Sequence, residues 1–290
     1  MSTTRPLEPG ASAEAIRYHY DVNNEFFRRW LGETFTYSAA LWEEGDSLES
    51  AQLRKMDYHA RESRSGGARR VLDVGCGWGA MLRRLVDAHA VGHAIGLTLS
   101  QAQADWIESS RHPLIEARVE NWSDHRPSAP YDAIISVGAF EHFARPELSG
   151  PQKVESYRAF FRRCHEWLKP EGWLSLQTIA YGNLSPAQRS EFIASAIFPE
   201  SDLPTLAEVV LACEGDFEVV RIRNDRHDYE ATNRAWLSRL KADRPELVRM
   251  VGEDVVARFQ RFLSLFTIGF HTGTMSLLRI TMRRNEPTRG

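Results

Sequence analysis

The sequence predicts an α/β protein built on a mostly parallel, doubly wound sheet. Three observations carry this. Short apolar runs alternate with helical stretches between residues 66 and 182, a glycine-rich turn closes the first run, and the later runs end in polar or glycine-bearing segments.

Residues 1–65 read as an N-terminal helical cap. Ile16, Tyr20, Phe26, Phe27, Trp30 and Leu31 form an apolar stripe at helical spacing, interrupted by Gly32 and by a stretch over 35–42. The Gly66-Gly67 break then introduces the core, residues 66–182, with strands over 70–74, 93–97, 115–119, 131–137 and 173–179. Helices over 80–90, 101–110 and 154–168 lie between them, which is the pattern of parallel strands joined by crossover helices. After Tyr181-Gly182-Asn183 the pattern changes to a helical lid insertion over 183–212, punctuated by Phe198-Pro199 and Pro204. Residues 213–290 return to the core, with a strand over 217–222, helices over 231–241 and 245–266, and a last strand over 274–282 that closes a seven-stranded sheet. Open α/β sheets bind ligands at the carboxyl ends of their strands, so the loops after Val74, Leu97, Val137 and Ile179 are where chemistry is expected.

Composition narrows the function classes. A chain of 290 residues, 42% hydrophobic and 26% charged, can bury the core of one large α/β domain with a lid. Its formal charge of -3 gives no basic face to neutralise a phosphate backbone, so no nucleic-acid partner is expected. A small-molecule or carrier-bound acceptor fits better. The segment Met1 to Gly10 is polar and proline-bearing, and nowhere does an apolar run approach the roughly 18 residues that span a bilayer. A cytoplasmic protein with at most peripheral membrane contact is expected, and no sequence signal fixes an oligomeric state. Cys76, Cys164 and Cys213 are odd in number and far apart, which argues against a disulfide framework or a zinc site. His89 and His93 have the spacing of a helical metal pair, but Gly92 interrupts the face; no metal is expected.

The segment Val71-Leu72-Asp73-Val74-Gly75-Cys76-Gly77-Trp78-Gly79 is an apolar strand ending in a glycine turn that opens a helix. Such glycines let backbone approach a ligand closely. Dinucleotide-binding turns need the longer G-x-G-x-x-G spacing, whereas here the third glycine follows the second by two residues. Further motifs follow later strands: Gly96-Leu97-Thr98-Leu99-Ser100-Gln101-Ala102-Gln103, Asn121-Trp122, and Gly138-Ala139-Phe140-Glu141-His142-Phe143. A plain reading exists for each. Ser100 serves as the cap of a helix starting at Gln101, Glu141 as the acidic decoration of a helix N-terminus, and Trp122 as core filling, although a tryptophan in a polar loop has no stripe to join.

Together with Tyr18-His19-Tyr20-Asp21 and Thr36-Tyr37-Ser38, these motifs resemble the cyclopropane fatty acid synthase family, in particular its shorter mycolic-acid branch, in order and at family spacing. The resemblance runs from Tyr18 through Ile179 and more weakly to the C-terminus. It implies the Rossmann-like sheet of a class I methyltransferase, seven strands with the last antiparallel, and S-adenosyl-L-methionine as methyl donor. It places Tyr37 and Ser38 over the donor's methionine end and Asp73, Gly75, Cys76 and Gly77 beneath it. Thr98, Leu99 and Gln103 match the ribose and adenine contacts, and Asn121, Trp122 and Val137 complete the donor site, with the Trp122 ring against adenine.

Glu141-His142 follows the fourth strand directly and is expected at the catalytic edge, beside the sulfonium. In the family this Glu helps hold a bicarbonate ion, the base that removes a proton after methyl transfer to an alkene, and Tyr229 matches another member of that shell. Here the sequence departs from the family: Ala39 stands where the shell has a cysteine, Gln177 where it has a histidine, and Phe262 roughly where a further cysteine lies. Gln177 can donate an amide hydrogen bond to an anion but cannot shuttle a proton. Bicarbonate is therefore expected to be held weakly or not at all, which bears on ring closure and leaves methyl transfer intact. Phe26, Phe140, Tyr229 and Phe270 offer aromatic faces to a carbocation, or are plain core. The leading expectation is a carbon methyltransferase for a lipophilic unsaturated acyl or specialised-metabolite acceptor. A small-molecule amine N-methyltransferase, with Glu141 facing the substrate ammonium, is the alternative, and a non-catalytic donor-binding protein is a third class, disfavoured by the full donor set.

Overall fold

The computed structural model describes residues 11–12, 22–183 and 200–286. The Tyr18-His19-Tyr20-Asp21 motif and residues 184–199 of the lid insertion lie outside the described residues.

Helix α1, Asn24–Leu31, starts where the Asn23 side chain accepts the free N–H groups of Glu25 and Phe26, and it buries Phe26, Phe27, Trp30 and Leu31. Helix α2, Leu48–Glu62, is capped by Ser47 and buries a mixed face on which Gln52, Lys55 and His59 accompany Leu48, Ala51 and Met56. Between the two helices the chain over 32–47 runs as a loop.

The core follows as β1 (Val71–Val74), α3 (Ala80–His89), β2 (Ala94–Thr98), α4 (Gln101–Ser109), β3 (Ile115–Val119), β4 (Tyr131–Val137), α5 (Gly150–Trp167) and β5 (Leu168–Tyr181). Then come α6 (Leu206–Cys213), β6 (Phe217–Asn224), α7 (Arg226–Ala242), α8 (Arg244–Val251), α9 (Glu253–Thr272) and β7 (Met275–Arg284). The seven strands order β3-β2-β1-β4-β5-β7-β6. The pairs from β3 through β5 are parallel, and β7 runs antiparallel to both β5 and β6. Strand order reverses beside β1, so the connections leaving β1 and β4 diverge and open a crevice at their carboxyl ends.

The elements differ from the sequence expectation in three instructive places. Strand β5 extends at its start, where Leu168 pairs with Tyr131 of β4, and at its end, where β7 pairs with it through Tyr181↔Met275. The expected helix over 245–266 is two helices, broken at Gly252, whose φ of 86° a side-chain-bearing residue rarely adopts. The helix expected over 231–241 begins at Arg226, so Tyr229 sits in its first turn rather than in a loop. His89 and His93 do not face each other across a helix: His89 Nε2 lies 2.8 Å from Asp57 Oδ1, and His93 Nε2 lies 3.5 Å from Glu116 Oε2.

Apolar packing falls on both sides of the sheet. One cluster joins strand residues to Phe140, Tyr157, Phe160 and Phe161, a second joins α1, α7 and α9 through Phe26, Trp30, Trp236, Phe259 and Phe270, and a third joins Val71 and Ile135 to Leu82, Leu85 and Ile107. Within this framework Arg279 of β7 is wholly buried. Its guanidinium pairs with Asp225, donates to Gln177 Oε1 at 2.9 Å, and donates to the Ala40 carbonyl at 2.8 Å. One side chain thus ties β7 and β5 to the chain just after Tyr37-Ser38.

Removing a partner from a buried ion pair strands the other charge, which costs about 3–5 kcal/mol. Arg279→Met is expected to lower unfolding free energy by that amount in urea titration. A loss below about 1 kcal/mol would show that Asp225 and the Ala40 carbonyl find other partners.

Candidate active site

The crevice at the β1 and β4 ends is a cavity whose wall includes every residue the resemblance gave to the donor: Tyr37, Ser38, Asp73, Gly75, Cys76, Gly77, Thr98, Leu99, Gln103, Asn121, Trp122 and Val137. Four strand ends and the loop after α1 supply them. Gly75 needs its φ of 83° and its missing side chain, because a Cβ there would come 2.4 Å from the Cβ of Ala139. At Gly77, φ 53°, an added Cβ would meet no protein atom within 4 Å. The turn therefore leaves open space at Gly77 and none at Gly75.

At the β2 end, Thr98 Oγ1 donates to Gln103 Oε1 at 2.6 Å and accepts from Ser100 N at 3.1 Å. Ser100 does not line the cavity; its Oγ accepts from Gln103 N at 3.2 Å and caps α4, the plain reading of that residue. Trp122 lines the cavity and also belongs to the core, with its ring 5.2 Å from Phe143 and 5.5 Å from Phe160. The sequence had shown no stripe for it to join; the partners come from the later elements that close over β4.

The floor carries charge. Asp73 is buried, its Oδ1 has no hydrogen-bond partner, and burial pushes its carboxyl up to about 7. Facing it is Lys55 of α2, 3% exposed, whose Nζ donates to Ser38 Oγ at 2.8 Å. Burial, helped by Arg279, pushes that ammonium down to about 7. Gln52 holds the Ser38 carbonyl at 2.9 Å. Lys55, Phe35 and Glu120 line the cavity without having been named in the sequence motifs, and Thr36 and Trp78, which lie within those motifs, line it too. A signal for Lys55 was present: with Gln52 and His59 it falls on the apolar stripe of α2, and polar residues on a buried stripe are the informative exceptions.

Of the four residues expected to carry catalysis, only His142 lines this cavity. Its Nδ1 lies 2.7 Å from Ser201 Oγ, its carbonyl accepts from Ala11 N at 2.7 Å, and burial lowers its imidazole to about 4, leaving it neutral near pH 7. Glu141, in the 3-10 turn Phe140–His142, turns from the donor cavity toward the β5 end, where its Oε1 accepts from Ile179 N at 2.6 Å. Its Oε2 is buried without a hydrogen-bond partner, and desolvation raises the carboxyl to about 7. The two neighbours thus serve opposite sides of one turn, where the sequence reading had both beside the sulfonium.

Ile179 shares an apolar cluster with Tyr229, Phe262, Phe266 and Phe270, and the Tyr229 and Phe270 rings stack with centroids 4.6 Å apart. Phe26 and Phe140 are buried core; Phe140 stacks on Tyr157 at 4.4 Å. The Gln177 amide is engaged through its oxygen. It lies outside the donor cavity, and its Oε1 accepts from Arg279 and lies 3.3 Å from His59 Nε2.

These features suit a donor with an adenosine end and a charged amino-acid end. The open space at Gly77 is a cradle a side chain would fill, Trp122 offers an aromatic wall, and the orphaned Asp73 oxygen awaits a hydrogen-bond donor.

A family model described as mycolic acid cyclopropane synthetase matches residues 8–280 of the chain. The cyclopropane mycolic acid synthase 2 of Mycobacterium bovis is 32% identical over 282 residues, covering 90% of this chain and 91% of that protein. The structure of the cyclopropane synthase MmaA2 from Mycobacterium tuberculosis superposes with a TM-score of 0.85 at 30% identity, over 96% of this chain and 100% of that one. The mycolic acid cyclopropane synthase CmaA1, solved with S-adenosylhomocysteine and CTAB, gives a TM-score of 0.85 at 29% identity, over 94% of this chain and 99% of that one.

Because Gly77 borders open cavity, Gly77→Val is expected to abolish calorimetric binding of S-adenosylhomocysteine. Parent-level affinity in a folded variant would place the donor elsewhere.

Proposed function

The chain belongs to the mycolic acid cyclopropane synthetase family, and from that premise we propose that it transfers a methyl group from S-adenosylmethionine to a carbon of a lipophilic, unsaturated acyl acceptor. The observation that carries the acceptor side is Glu141: a buried carboxylate with one oxygen fixed by Ile179 N and the other unpartnered, set against an aromatic cluster.

The donor supplies a methyl activated on a sulfonium. Asp73, Ser38 and the turn at Gly75–Gly77 hold its amino-acid end, and Thr98, Gln103, Asn121 and Trp122 its nucleoside end. What the chain must add is alignment in a dry pocket, worth effective molarities on the order of 10⁵ M or more in favourable intramolecular cases. Attack by an alkene leaves positive charge on the acceptor. The stacked Tyr229 and Phe270 rings offer aromatic faces within the cluster that holds Ile179, and Glu141 Oε2 is the acceptor for the departing proton. A carboxyl held at about 7 is suited to that task, since it gains and loses a proton near neutrality. Without a thiol at Ala39 or an imidazole at Gln177, the proton leaves from the acceptor chain and the transferred methyl is retained as a branch.

The test is mass spectrometry of lipids incubated with trideuteromethyl-labelled donor in bicarbonate-stripped buffer. Label on an acyl carbon with all three deuterons retained is expected. Loss of one deuteron would mean ring closure, and label confined to amines would replace this reading with N-methylation.

Glu141→Gln keeps the Ile179 contact and removes the charge, so turnover should fall by about 10²-fold or more while donor affinity survives. The raised carboxyl also fixes a stability sign. The folded protein binds more protons than the unfolded one between the ordinary value of 4.5 and about 7, so native Glu141 costs stability as pH rises through that window. The variant should therefore be at least as stable as the parent near pH 8; lost stability with unchanged turnover would make Glu141 structural.

A further inference from the structure

The cavity contains a buried lysine, Lys55, that the sequence motifs do not include. Among the described residues lining it, Lys55 is the only lysine or arginine. Its Nζ has three donors, and Ser38 Oγ is its one hydrogen-bond partner among the described residues. Across from it, Asp73 keeps one carboxylate oxygen buried and unpartnered. The remaining carboxylate of the cavity, Glu120, is engaged, with Oε2 3.0 Å from His125 Nδ1. A cation and an anion thus lie buried in one cavity, each favouring the other's charged form, yet with no direct ion pair between them. Charges buried in this way are costly unless opposite charges complete them.

We propose that Lys55 completes the seat for the zwitterionic amino-acid end of the donor, taking its carboxylate directly, beside the Asp73 already assigned to that end, which takes its ammonium. The inference rests on the donor reading above. It assigns charge recognition to a residue of α2 that lies outside the glycine-rich turn and outside every strand-end loop. The other charged or titratable groups facing Lys55 are Arg279 from β7 and His59 one turn further along α2. Arg279 is occupied by Asp225, Gln177 and the Ala40 carbonyl, and His59 by Ser175 Oγ at 2.8 Å and Gln177, so neither is positioned to replace Lys55.

The seat makes the enzyme selective for ligands that carry an amino-acid tail. Calorimetric titrations of the parent, Lys55→Met, Ser38→Ala and the double variant should use two ligands. S-adenosylhomocysteine carries the tail, and 5′-methylthioadenosine shares the nucleoside and sulfur without it. Lys55→Met should weaken the first ligand by about tenfold or more and the second by less than about twofold. The double variant should bind S-adenosylhomocysteine more weakly than Ser38→Ala alone. Equal losses for both ligands would make Lys55 structural. A double variant no weaker than Ser38→Ala would mean that Lys55 acts only by holding Ser38. Either result overturns the proposal, as does an unchanged affinity.

Should Lys55→Met not fold, the parent supplies its own test. With the Lys55 ammonium lowered to about 7, the side chain is mostly uncharged near pH 8, and a carboxylate beside it draws a proton onto it. S-adenosylhomocysteine should then take up protons on binding, read from titrations in buffers of different ionisation enthalpy, and 5′-methylthioadenosine should not. Equal uptake, or none, overturns the proposal. Failure of the parent to bind either ligand would instead overturn the donor reading itself.

Discussion

A guanidinium without solvent exposure, that of Arg279, connects the last strand to the loop after α1, whose Tyr37 and Ser38 line the cavity. The loop after α1 has no place in the sheet ladder, so hydrogen bonds from side chains must position Tyr37 and Ser38. Arg279 holds the Ala40 carbonyl, Gln52 the Ser38 carbonyl, and Lys55 the Ser38 hydroxyl. All three are buried polar groups that replace part of their lost hydration with these partners, while Gln52 Oε1 stays buried without a hydrogen-bond partner. The antiparallel strand β7 matters for the same reason: it carries Arg279 into register with Gln177 of β5, and so couples the closing edge of the sheet to the rim of the cavity.

Burial also sets the chemistry. Asp73, Lys55 and Glu141 are all brought to about 7 by desolvation, from opposite directions for the acids and the base. Groups near neutrality in a dry site can exchange charge with a ligand at little cost, and methyl transfer asks for such a site because water would compete for the reactive centre. The 3-10 turn Phe140–His142 divides the space: His142 faces the donor cavity, and Glu141 faces the aromatic cluster beyond Ile179.

Much of this was legible in the sequence because it is written in local patterns. The runs at Ile115–Val119 and Tyr131–Val137 are strands with the bounds their apolar pattern implied, and the glycines after Val74 announced the turn. The break at Gly252 was not legible, since a single glycine within a helical pattern is usually tolerated. Lys55, His59 and Arg279 escaped for a different reason. Their side chains are charged or titratable yet buried within α2 and β7, and only the elements packed over them show that those groups are turned inward. The roles of Glu141 and Gln177 were blurred likewise: sequence adjacency placed Glu141 with His142, and the family resemblance related Gln177 to an anion. The structure gives their oxygens to Ile179 N and to Arg279.

The central claim is that one cavity gathers the donor-binding segments while Glu141 serves the other side of the turn. Hydrogen–deuterium exchange with and without S-adenosylhomocysteine tests it most directly. Protection is expected together at the 35–38 loop, the turn over 75–79, the 98–103 segment and Asn121-Trp122, with α6 unchanged. Protection confined to other segments, or absent from the 75–79 turn, would contradict the account.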